Sequence, residues 1–160
     1  TSSPDEKKIL QKPIIITIAS ICEAVLHDFH FRIRAYTKEG VRNLAVSIIN
    51  GIRGKKIDEF EKYIASARKN ELLGTKESKL YGDLEELRKL RNRIHIQNVK
   101  QHLEPDEILA FRHERKVLSE KILEQVRKQS VERYPRPRGA TGFVKEFERP
   151  WEEHFTNNQR

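Results

Sequence analysis

IIITIASICEAVLHDFHFRI, residues 14–33, decides the fold of this chain. Apolar side chains fall there on nearly every face of a helix, the pattern of the central helix of a bundle rather than of a surface one. The strand alternative for its Ile-rich start is weakened by the length of the run and by Ala19, Ala24 and Leu26 within it. Pro13, just ahead, suits a first helical position, where a missing N–H costs nothing. Residues 1–8 are then expected to be partly disordered. The longest apolar run, residues 14–26, holds Thr17, Ser20 and Glu23. It falls short of the roughly 20 residues a bilayer crossing needs. No small-residue cleavage site follows, so a secretory signal is not expected either.

Working outward, the helical period recurs four more times. A second helix is predicted over 41–52, with Leu44, Val46, Ile48 and Ile49 apolar, Gly40 before it and Gly51 and Gly54 at its end. A third is predicted over 57–73, with Phe60, Ile64 and Ala67 on one stripe and Gly74 as its C-terminal cap. Thr75 or Ser78 can cap a fourth over 79–98, marked by Leu80, Leu84, Leu87 and Ile94. The fifth runs from Pro105–Asp106 to about Lys128, with Ile108, Phe111, Leu118, Ile122 and Leu123. Tyr134-Pro-Arg-Pro-Arg-Gly then breaks the pattern as a stiff linker. Beyond it Phe143, Val144, Phe147, Trp151 and Phe155 make a tail too apolar to be purely solvated. The expected architecture is all-α: a bundle of about five helices, mostly antiparallel because the loops are short, over residues 1–133, with a linker and docking tail over 134–160.

Composition agrees. Of 160 residues 35% are charged and 36% hydrophobic, with only 7 Gly and 6 Pro, too few turn formers for a β-sandwich. The one cysteine, Cys22, excludes an internal disulfide framework and a Cys-based zinc site, and points to a reducing, cytoplasmic setting. The lack of any methionine suggests a processed or excised piece of a longer chain. Lys and Arg total 32 against 24 acids, a formal charge of +8, which favours polyanionic partners, nucleic acid above all.

Where that charge sits narrows the chemistry. Between Arg88 and His102 lie Arg88, Lys89, Arg91, Arg93 and Lys100 and no acid. On a helix Arg88, Arg91, Asn92 and His95 fall within roughly 100° of one another. They border the apolar stripe of Leu84, Leu87 and Ile94, where a cleft or an interface would form. Arginine offers a fixed fork of donors to phosphate oxygens, and histidine exchanges a proton near neutrality. Glu23, in the most apolar helix, requires a partner, either His27 or an arginine of the fourth helix. His27 and His30 flank Asp28 but lack a matching ligand cluster, so no metal site is expected.

The run LRKLRNRIHI, residues 87–96, resembles the signature helix of the HEPN superfamily, small helical bundles with an Arg, four to six residues, then His. The first helix, IASICEAVL over 18–26, and the helix order resemble that family too, so the likeness spans roughly residues 14–133. Arg88 matches the spacing to His95 and is followed by Lys89. Arg91 is followed by the family's Asn, here Asn92, but lies closer to His95.

Either arginine can therefore be the motif residue. The resemblance implies cofactor-free and metal-independent RNA cleavage, and suggests a toxin-like or defence setting. His95 would be general acid or base, and Arg88 or Arg91 with Asn92 would handle the phosphate; Glu23 is the other catalytic candidate, the alternative being that it only orients the motif. Lys89, Arg93 and Lys100 would contact RNA. It also implies a homodimer with facing motif helices, and an antitoxin or a larger parent assembly as further partners. The competing reading is a non-catalytic helical module that binds RNA, a nucleotide or a protein through the same cleft. A DNA-binding domain is weaker, since no helix-turn-helix pair precedes a recognition helix.

Overall fold

The computed structural model describes residues 4–35, 43–93 and 110–135. Among them the chain is all-α, with five helices and no strand: α1 (Pro4–Ala35), α2 (Val46–Arg53), α3 (Phe60–Lys69), α4 (Lys79–Asn92) and α5 (His113–Arg133). The all-α bundle expected from the sequence is the fold. The apolar tail and the Arg136–Arg138 stretch lie outside the described residues.

Helix α1 is central and packs against each of the other four. Its inward stripe is Ile15, Ala19, Cys22, Leu26, Phe29 and Ile33, spaced alternately four and three residues, all buried. Each large apolar side chain on such a stripe contributes about 1.5–3 kcal/mol by leaving water. The remaining face is open, with Leu10, Ile21 and Phe31 exposed. The helix begins at Pro4, not Pro13, which sits inside it. Pro4 takes the first helical position, and the Glu, Lys, Leu and Gln residues between carry enough helix propensity to run through the second proline. The longer helix changes one sequence expectation: Leu10–Ala35 has the length and composition of a membrane span. In this fold its apolar stripe is the core of the bundle.

The ends of the helices show why the bundle closes as it does. Arg53 Nε donates to Ile33 O at 2.9 Å, and Arg34 donates to Lys55 O, so the end of α1 is bound to the segment leaving α2. Helix α3 stops at Asn70, earlier than the glycine signal indicated. Leu72 N donates to Ala67 O at 2.9 Å and Glu71 N to Arg68 O at 3.2 Å, a Schellman closure with Glu71 in the left-handed region at φ 52°. Gly74, at φ 126°, turns the following loop instead of capping the helix. Ser78 caps α4, accepting from Leu80 N.

Two tyrosines hold the α3–α4 loop. Tyr81 Oη accepts from Leu73 N at 3.0 Å and lies within donating distance of Gly74 O and Ala67 O. Tyr134 Oη donates to Leu72 O at 3.0 Å, and its ring packs 4.3 Å from Phe29. Tyr134 therefore belongs to the bundle, although the sequence placed it in a linker. On α5, buried Ser119, Ile122 and Val126 face inward while Leu118 is exposed, so the core stripe is rotated from the predicted one. Ser119 is tolerated there because its Oγ donates to Arg115 O at 2.7 Å.

Candidate active site

The last turns of α4 run beside the middle of α1 and the start of α3. Leu84 and Leu87 are buried against the core, which leaves Arg88, Arg91 and Asn92 at its margin. These three line a polar cleft of about 330 Å³ together with Glu23 of α1 and Asp58, Glu59, Phe60 and Glu61 at the start of α3. Basic residues suit this position, because the carbonyl end of a helix carries partial negative charge.

Glu23 finds its partner in Arg91, Nη1 to Oε2 at 2.7 Å, with the two side chains 28% and 24% exposed. Arg88 is more enclosed. Its Nε donates to Glu85 Oε2 at 2.8 Å, and its Nη1 lies 3.2 Å from Glu61 Oε2. Each guanidinium has five N–H donors, so these contacts fix its plane without exhausting its capacity for phosphate oxygens. Four carboxylates line the cleft against two arginines. The sequence around Arg88 could not reveal this, because Glu61 enters from α3, Asp58 and Glu59 from the residues just before it, and Glu23 from α1. Asp58 is held below its ordinary range by hydrogen bonds from Lys62 and Lys56, so it is ionised at neutral pH.

The other predicted residues are spread more widely. Lys89 points away from the cleft and pairs with Glu86 at 2.7 Å. Arg93 is the C-cap of α4 and does not line the cleft. His95 and Lys100 lie outside the described residues. His27 stacks on Phe31 and meets Tyr63 edge-on. His30 is buried in the core. Among the described residues no group of three or more His, Cys, Asp or Glu comes together to hold a metal.

No family model, curated protein or solved structure matches this chain.

Proposed function

We propose that the chain is a HEPN-like, metal-independent endoribonuclease module. The observation that supports this reading is the gathering of Arg88, Arg91, Asn92 and Glu23 around one cleft at the end of α4. In the proposed reaction the ribose 2′-oxygen attacks the adjacent phosphorus and the 5′-oxygen leaves. The products are a 2′,3′-cyclic phosphate and a 5′-hydroxyl. His95, three residues past Asn92, takes the 2′-proton or supplies one to the leaving oxygen. Arg88 or Arg91 stabilises the charge that gathers on the five-coordinate phosphate. Glu23 is a positioning residue that holds the Arg91 plane. A second protomer with its motif helix facing the first would supply the complementary acid or base.

The acid-rich lining favours a second reading, a non-catalytic module whose cleft takes the cations of a partner protein. One experiment separates the two. Purified chain is incubated with varied RNAs in excess chelator, and the ends of the products are identified. Cleavage to cyclic phosphates, lost in His95→Ala with RNA affinity retained, supports the nuclease. Intact RNA in the presence of folded, dimeric protein leaves the binding module.

A further inference from the structure

A second cleft lies between α2 and α3 and has the opposite charge character. It encloses about 520 Å³ and is lined by Lys55, Lys56, Lys62 and Lys69, with no carboxylate among its lining residues. Lys56 and Lys62 share Asp58, at 3.2 and 2.8 Å, and Lys62 also meets Glu59 Oε1 at 3.2 Å, while Lys55 and Lys69 make no ion pair with a described carboxylate and are the lysines left for a ligand's phosphate. Its floor is apolar: Ile52 and Ile57 are buried, and Ile48 is partly so.

The polar groups at its wall have fixed hydrogen-bonding roles. His30 Nδ1 lies 2.7 Å from Leu26 O, which can only accept, so Nδ1 carries the proton. Its Nε2, 2.9 Å from Ser66 Oγ, is then the bare nitrogen of a neutral ring and accepts the serine proton. Ser66, which lines the cleft, has its hydrogen committed and offers only lone pairs there. Asn70 Nδ2 donates one hydrogen to Ser66 O at 2.9 Å, which fixes the amide and leaves Oδ1 and the second N–H for a ligand. The cleft thus combines ammonium groups, an apolar floor and hydrogen-bond acceptors, within the roughly 300–1,000 Å³ typical of small-molecule sites.

We infer that the α2–α3 cleft binds a small phosphomonoester with an apolar or aromatic body and hydroxyl or amino donors, the chemistry of a nucleoside monophosphate. The lysines take the phosphate as point charges. The isoleucine floor receives the ring system, and Ser66 Oγ and Asn70 Oδ1 accept from the ligand's donors. This site is independent of the reading given to the Arg88–Arg91 cleft.

Gly51 provides the decisive test. It lines the cleft within α2, and a Cβ built there meets nothing within 4 Å. Gly51→Leu therefore fills the cleft while favouring the helix. The full chain is titrated with adenosine 5′-monophosphate, adenosine and inorganic phosphate by calorimetry and amide NMR. Saturable binding of the monophosphate is expected, with shifts centred on Gly51, Ser66 and Asn70. Adenosine or phosphate alone should bind at least about tenfold more weakly, the size of one lost charge-assisted contact. Gly51→Leu and Lys69→Glu, each folded by circular dichroism, should both lose binding. The inference is overturned if Gly51→Leu binds like the parent, or if phosphate alone binds as tightly as the monophosphate. It is also overturned if binding is seen only with single-stranded RNA that the mononucleotide does not displace. Should Gly51→Leu not fold, unchanged binding by Lys69→Glu overturns it equally.

Discussion

Arg91 Nη1 lies 2.7 Å from Glu23 Oε2, tying the last turns of α4 to the middle of the central helix. The pair is neither fully exposed nor sealed, so its strength falls between a surface bridge and a buried one. A double-mutant cycle with Glu23→Gln and Arg91→Gln is expected to give a coupling of about 1 kcal/mol. Coupling indistinguishable from zero would show that the contact does not hold the cleft together.

Replacing Tyr81 by Phe removes one oxygen that serves Leu73 N and the carbonyls of Gly74 and Ala67. The buried Leu73 N–H loses its partner, and a loss of about 1–3 kcal/mol is expected in denaturant unfolding. A variant as stable as the parent would mean that the loop finds other partners.

Glu71 holds φ 52°, a conformation that costs a residue with a Cβ roughly 1–2 kcal/mol. Its side chain recovers some of this by accepting from Lys76 N at 3.3 Å. Glu71→Gly should therefore stabilise the fold by about 0.5 kcal/mol, after the greater freedom of glycine in the unfolded chain is counted. A rise in denaturation midpoint checks it, and a fall contradicts it.

Burial lowers the His30 pKa, with Arg34 and His27 adding to the effect and the hydrogen bond to Leu26 O opposing it. The fold thus prefers the neutral ring, while the unfolded chain takes up a proton near pH ~6.5. The stability this contributes is complete above that pH and is lost as pH falls from there towards the folded-state pKa. Unfolding curves at descending pH should show this loss, and His30→Gln should flatten it. An equally steep acid limb in that variant would assign the effect elsewhere.

Desolvation pushes the Cys22 thiol up to about 12, and its side chain is fully buried. Since the thiolate is the reactive form, an aromatic disulfide reagent at pH 8 should label Cys22 only as the bundle opens. Prompt labelling of folded protein would show that the core around α1 is looser than the packing implies.

Much of the helical plan was legible in the sequence. The 14–33 run named the central helix, Ser78 was among the expected caps of α4, and the need of Glu23 for a partner pointed to an arginine of α4. What escaped depends on contacts between segments far apart in the chain. Glu71 gives no signal for a left-handed residue, so α3 was drawn too long. Tyr134 stands beside prolines and arginines, and only Leu72 and Phe29 reveal it as part of the core. The stretch from Arg88 onward looked free of acids because Glu61 approaches Arg88 from α3, and Glu85, three residues before Arg88, stood just outside it. The lysine cleft left no local trace, since α2, its exit segment and α3 each contribute only a few of its residues.

The lysine-lined cleft and the acid-lined cleft share the stretch around Asp58–Lys62, so a single short segment divides two surfaces of opposite character. That makes the molecule's approach to any polyanion directional. Long-range attraction turns the α2–α3 side towards it, while the arginines of α4 are screened by the acids around them. The first encounter and the final docking geometry thus become separate events. Salt would slow arrival more than it loosens the part-buried arginine contacts once they are made.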